Sequence, residues 1–116
     1  MNIGPVTVLI NNAGIASHTP IKNFSLKSGA SIEKIMNVNF QACFSLIQLF
    51  LPDMIAAKRG YIVNVASVLG ILSPAKLAPY GASKGALINM HEVLSLELHR
   101  ARNMNRNIKS LLVLPG

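Results

Sequence analysis

Two hydrophobic rhythms divide this chain. Residues 6–10 (VTVLI) form an apolar run that stops at Asn11-Asn12-Ala13-Gly14. Short runs that are apolar on both faces read as strands of a buried parallel sheet. Residues 15–30, with three Ser, Pro20 and Gly29, read as a loop. From 31 to 57 the apolar positions recur at helical spacing: Ile32, Ile35, Met36, Phe40, Cys43, Ile47, Leu51 and Met54. Pro52 should kink this helix and Gly60 should stop it. Residues 61–66 (YIVNVA) read as a second strand, and a loop with Gly70 and Pro74 leads into a second helix over 79–102. A polar turn at 103–107 precedes a third strand at 108–114, which ends in Pro115-Gly116.

The order β-α-β-α-β predicts an α/β domain with parallel strands and right-handed helical crossovers. Asn11 to Gly14, Ser67 and Pro115-Gly116 each lie just past the C-terminal end of a predicted strand. Ligands of open parallel sheets bind at that edge. Three strands that deliver small or polar groups to one edge are a site hypothesis on their own.

Composition narrows the class. A chain of 116 residues, 51% hydrophobic, is one globular domain at most. Its single cysteine, Cys43, precludes an internal disulfide and suits a reducing compartment, which favours a cytoplasmic setting; a membrane anchor in a fuller protein stays open. Continuous apolar runs are shorter than the roughly 18 residues of a membrane span. The net charge of +7 invites a nucleic-acid reading. Yet the basic residues are scattered, apart from Arg100, Arg102, Arg106 and Lys109, whose helical spacing reads as charge offsetting a helix dipole. With two Tyr and no Trp for stacking, no nucleic-acid partner is expected. His18, His91 and His99 show no metal-like grouping and read as surface or loop residues, and Cys43 reads as core.

The candidate chemistry lies between residues 61 and 84. Tyr80 and Lys84, four apart, share a helix face. An unaided phenol, with a reference pKa near 10, is a poor acid/base at neutral pH, and a neighbouring cation favours its ionised form. A phenol so tuned can give or take a proton, and Ser67 can hold the oxygen that receives it. Asn39 is an amide on an apolar stripe, where an unpaired polar group costs on the order of 1–3 kcal/mol. It needs a partner, and a structural bond to backbone would supply one. Gly81 and Gly85 each cost up to about 1 kcal/mol relative to Ala inside a helix. Close approach of Gly81 to a ligand and of Gly85 to a packed neighbour would explain them.

Taken together, these residues resemble the short-chain dehydrogenase/reductase family. Tyr80-Gly81-Ala82-Ser83-Lys84 resembles its Tyr-x-x-x-Lys motif, thirteen positions after Ser67. Asn39 stands twenty-eight positions before Ser67, and Asn11-Asn12-Ala13-Gly14 resembles the Asn-Asn-Ala-Gly segment of the family. The resemblance implies a partial Rossmann-like three-layer sandwich corresponding to strands four to six of the family. It implies hydride transfer between NAD(P)(H) and a secondary alcohol or its carbonyl, with NADP slightly favoured over NAD. Asn39, Ser67, Tyr80 and Lys84 would be catalytic: Tyr80 the acid/base, Ser67 the carbonyl-orienting donor, Lys84 the cation that also holds the nicotinamide ribose, Asn39 the holder of a relay water. Asn12, Ala13, Gly14, Tyr80, Lys84, Pro115 and Gly116 would meet the cofactor, and Ser83 would be structural. Val68, Leu69, Ile71, Leu72 and Leu77 suggest an apolar small-molecule substrate.

The resemblance spans residues 1–116 but only the middle of the family's domain. No Gly-x-x-x-Gly-x-Gly turn precedes the first strand, so the dinucleotide-binding βαβ unit at the family's N-terminus is missing from this sequence. The isolated chain is therefore expected to be inactive and to associate. A rival reading is a catalytically inactive truncated member that acts only as a dimerisation module. In the family the two long helices commonly pair across a homo-oligomer.

Overall fold

The computed structural model describes residues 4–24, 31–100 and 107–116. Three parallel strands, β1 (Val8–Asn11), β2 (Gly60–Val65) and β3 (Ile108–Val113), lie in the order β1-β2-β3. Val8 pairs with Tyr61 and Tyr61 with Lys109 at one end; Asn11 pairs with Asn64 at the other. Between β1 and β2 runs a helical rod: α1 (Ile32–Met36), a π-helical turn (Asn37–Gln41) and α2 (Ala42–Ala57). Between β2 and β3 come a 3-10 turn (Val68–Gly70) and the long α3 (Ala78–Arg100). The α/β order read from the hydrophobic pattern is the one observed. The expected end of the second helix at Arg102, and most of the polar turn after it, lie outside the described residues.

Local chemistry sets the element ends. Ser31 caps α1, its side chain accepting from Lys34 N at 3.1 Å, with Glu33 in the first turn favouring the positive end of the helix dipole. The rod ends at Lys58, which adopts the left-handed conformation (φ 54°) while its N–H bonds Ile55 O. Gly60 therefore does not stop the helix. It opens β2 instead, where an added Cβ would lie 2.6 Å from Met54 Sδ, so the glycine makes room for a fully buried methionine. Pro52 sits inside α2, which continues to Ala57. The irregular stretch is the π turn around Asn39.

Alternation along the strands decides the layering. Leu9, Asn11, Ile62, Asn64 and Ile108 are buried, while Val8, Ile10, Tyr61, Lys109, Leu111 and Val113 are exposed. Cys43, Ile47 and Met54 of α2 join Leu87, Met90, Leu94 and Leu98 of α3 in one core with Leu9, Ile62 and Ile108. Both helices thus cover the same face. Two right-handed crossovers that step the same way across a sheet require this. The described residues form two layers of the three-layer sandwich, and the opposite face of the sheet is open. Lys109 stands on that open face in β3, so the helical spacing read through Arg100 to Lys109 does not hold. The rod over Ile32–Ala57 is 26 residues long, and by length and composition alone it could cross a membrane, although no unbroken apolar run is that long. Its Ile35, Cys43, Ile47 and Met54 are buried, and the last three belong to the sheet core.

A polar chain crosses this apolar core. Asn11 Nδ2 donates to Asn64 Oδ1 at 2.9 Å, and Asn64 Nδ2 stands 2.9 Å from His91 Nδ1. All three residues are buried. His91 is therefore a core residue, not a surface one: it faces the middle strand, where the amide of Asn64 gives the imidazole its partner. With Asn64 Nδ2 donating, Nδ1 accepts and the ring is neutral. Burial pushes its pKa below the ordinary 6.5, against the opposing pull of Glu92. The unfolded chain then takes up a proton that the folded chain resists, so stability falls as pH drops below about 6.5. Thermal unfolding followed between pH 7.5 and 5.5 should show this loss, and His91→Asn should flatten it.

Candidate active site

The carboxyl ends of all three strands open into a cleft of about 370 Å³. Asn12, Gly14, Ile15 and Ala16 follow β1; Val65, Ala66, Ser67 and Leu69 end β2; Pro115 and Gly116 follow β3; Tyr80 and Lys84 project from the first turns of α3. Residues from four separate stretches of sequence share this space because parallel strands end on one side. Val68 N donates to Pro115 O at 3.2 Å and Ala66 N to Val113 O at 2.9 Å, which ties the ends of β2 and β3 together.

Lys84 is the unusual member. Its side chain is 3% exposed, and Nζ donates to Val65 O at 3.1 Å. A single neutral carbonyl does not replace the hydration of an ammonium, so desolvation pushes its pKa below the ordinary 10.5, partly offset by the nearby Cys43 thiol. That thiol is itself pushed up, chiefly by burial. Gly14 closes the site from the β1 side: a Cβ there would lie 3.3 Å from Lys84 Nζ and 3.6 Å from Asn39 Oδ1. Nζ also stands 5.8 Å from the centroid of the Tyr80 ring, which is half-buried. The phenol and the ammonium are neighbours, as their spacing requires.

Ser67 is 6% exposed and sits at the mouth of the 3-10 turn, where its Oγ accepts from Leu69 N at 3.1 Å. A hydroxyl that accepts from its own backbone keeps its proton free to donate. Ser67 lines the cleft with that hydroxyl.

Asn39 stands behind the cleft rather than in its wall. Its Oδ1 accepts from Ile15 N at 2.8 Å, while Nδ2 donates to Ile15 O at 2.8 Å and to Ser83 Oγ at 3.0 Å. Ser83 Oγ in turn donates to Tyr80 O at 2.7 Å. The amide thus clamps the loop after β1 to the turn of α3 that carries Tyr80. The π turn is what aims Asn39 inward, and such turns recur at functional sites. Ala13 is exposed and does not line the cleft. Gly81 meets the protein itself: an added Cβ would lie 2.9 Å from Ser73 Oγ and 3.0 Å from Leu69 O, so the expected approach to a ligand is replaced by packing against a loop. Pattern reading did not single out Val65 or Ile15, since both act through backbone atoms that any side chain would supply. No group of three or more His, Cys, Asp or Glu that could hold a metal ion occurs among the described residues.

The sequence profile of the short chain dehydrogenase family matches residues 1–116. The chain belongs to this family. An uncharacterized oxidoreductase of Saccharomyces cerevisiae is 40% identical over 115 residues, 97% of this chain and 36% of its own length. A metagenomic short-chain oxidoreductase solved with NADP superposes with a TM-score of 0.82 at 34% identity, over 97% of this chain and 47% of that one. A 4-hydroxyisoleucine dehydrogenase solved with NADH and succinate gives 0.80 at 34% identity, over 94% and 44%. The chain therefore spans between about a third and a half of the length of these relatives, and the two solved structures hold NADP and NADH.

A charge buried against one carbonyl is a stability cost with no structural return. Lys84→Met keeps the length and removes the charge, so it should raise stability on the order of 1 kcal/mol, a few degrees in thermal midpoint. Scanning calorimetry at pH 7 checks the sign. The wild type should also close part of the gap as pH climbs toward 10.5, because the folded lysine releases its proton first.

Proposed function

We propose that this chain carries the proton-transfer site of an NAD(P)-dependent oxidoreductase that interconverts a secondary alcohol and its carbonyl. The observation that carries the reading is the cleft itself, where Ser67, Tyr80 and Lys84 meet at the carboxyl edge of the sheet. In this reading the Ser67 hydroxyl donates to the substrate oxygen, and the Tyr80 hydroxyl gives its proton to that oxygen on reduction or takes it back on oxidation. Lys84 presents the cation that favours the ionised phenol and holds ribose hydroxyls. Asn39 holds the relay water next to Lys84 in addition to the clamp described above.

The residues present fit the nicotinamide-ribose end of a dinucleotide. A buried ammonium with two protons beyond its Val65 bond is a donor for sugar hydroxyls, and Gly14 leaves the backbone beside it bare. Asn12, Gly14, Tyr80, Lys84, Pro115 and Gly116 would hold that end, with Ala13, outside the cleft wall, joining Asn12 to Gly14. The bound cofactor supplies or accepts the hydride at the substrate carbon. NADP and NAD both remain candidates, with NADP slightly favoured. Leu69 in the cleft wall, followed in sequence by the exposed Ile71 (63%) and Leu72 (72%), supports an apolar small-molecule substrate.

A second reading concerns assembly. Phe44 and Leu49 of α2 and Val93 and Leu96 of α3 are exposed apolar residues on the two long helices, which supports a homo-oligomer formed through them. Sedimentation of the wild type against Leu49→Lys separates an oligomer from a monomer.

Tyr80→Phe removes the proton donor and preserves the ring. In the complete enzyme, NAD(P)H oxidation with a panel of apolar ketones should slow at least about 100-fold. Turnover that survives this change would remove Tyr80 from its role.

A further inference from the structure

The inference rests on the acid–base reading above and concerns what sets the distance between Ser67 and the helix. Gly81 and Gly85 are one turn apart on α3, each displaced by one position from Tyr80 and Lys84. Residues four apart share a helix face, so one stripe of α3 carries the phenol and the ammonium, and the stripe beside it has no side chains. The turn that bears Ser67 settles into that bare stripe. A Cβ at Gly81 would lie 2.9 Å from Ser73 Oγ and 3.0 Å from Leu69 O, and one at Gly85 would lie 3.1 Å from Gly70 O. Gly70 is tighter still. Its Cβ would lie 2.8 Å from both Gly85 N and the Lys84 carbonyl carbon, and 2.9 Å from Ile88 Cδ1.

At Gly70 and Gly85 the nearest atoms are backbone, which cannot swing aside as the Ser73 and Ile88 side chains can. The turn is also stiff within itself. Leu69 N donates to Ser67 Oγ at 3.1 Å, Gly70 N to Ser67 O at 3.0 Å, and Ser73 Oγ to Leu69 O at 3.3 Å. A stiff turn pressed on a bare helix has one seating depth. Glycine in a helix interior is destabilising relative to alanine, and two within five residues need a compensating contact. The docked turn supplies it.

We propose that Gly70, Gly81 and Gly85 form a steric gauge that places the Ser67 hydroxyl against Tyr80 and Lys84. They are positioning residues: a methyl at Gly70 lifts the turn and moves Ser67, while Tyr80 and Lys84 stay where α3 holds them. Loss therefore falls on turnover and spares cofactor affinity, because reaction rates are steeply sensitive to small misplacements of a reacting group.

The test is Gly70→Ala in the complete enzyme, with two readouts. Turnover should drop at least about tenfold while the cofactor dissociation constant, read from NAD(P)H fluorescence, changes less than about twofold. Amide exchange at Leu69, Gly70 and Ile71 should quicken at least about tenfold, with the amides of residues 87–98 unchanged. Gly81→Ala is the second variant should Gly70→Ala fail to fold. Adding Ser73→Ala removes the Oγ that the new methyl meets and should recover part of the lost turnover, which a general loss of stability would not do. Unchanged turnover in both variants, or a loss shared equally by turnover, cofactor affinity and α3 exchange with no recovery on Ser73→Ala, overturns the proposal. The acid–base reading fails separately, through an active Tyr80→Phe enzyme.

Discussion

The site depends on one buried ammonium. Lys84 Nζ lies behind Gly14, against the carbonyl of Val65 and near the thiol of Cys43, with desolvation opposing its charge. Reaching that position requires several other features at once. Gly14 must lack a side chain, β2 must end with Val65 O pointing toward α3, and α3 must begin early enough for its second turn to meet the strand ends. The clamp from Asn39 to Ile15 and Ser83 holds the first and last of these together. A cation so placed is costly as structure and useful as chemistry, since it stands beside the Tyr80 ring and opens onto the cleft.

The remaining architecture serves to assemble this edge. Parallel strands deliver three loop starts to one side, and consecutive right-handed crossovers put both helices on one face. α3 then packs against α1 and the π turn as well as against the sheet, and the buried chain Asn11–Asn64–His91 ties β1, β2 and α3 into one unit behind the cleft. Such polar chains in an apolar core specify register, because a slip would strand each amide without its partner. Two residues of this chain neighbour cleft residues: Asn11 precedes Asn12, and Asn64 precedes Val65.

Much of this was legible from spacing. The strand and helix order, the Tyr80–Lys84 face and the gathering of strand ends follow from short apolar runs, from the 3.6-residue period and from where those runs stop. What escaped has a common physical cause. The π turn at residues 37–41 leaves no mark in an apolar stripe, and only the amide of Asn39 on that stripe hinted at an internal partner. His91 looked like a helix-surface residue because its partner, Asn64, is distant in sequence and sits in a strand whose other inward residues are apolar. Gly81 signalled a close approach, but a glycine cannot say whether ligand or backbone approaches. The third layer was inferred from family resemblance, whereas the crossover rule applied to the same order yields two helices on one face.

The most direct test of the central claim is a titration of Lys84 itself. The chemical shift of 13Cε in selectively labelled lysine, with Lys84→Met to assign the resonance, reports its protonation alone. Burial against a single carbonyl predicts a midpoint below the ordinary 10.5, shifted away from the exposed lysines. A midpoint at or above 10.5 would mean that the ammonium is solvated or paired with an anion, and would contradict the site described here.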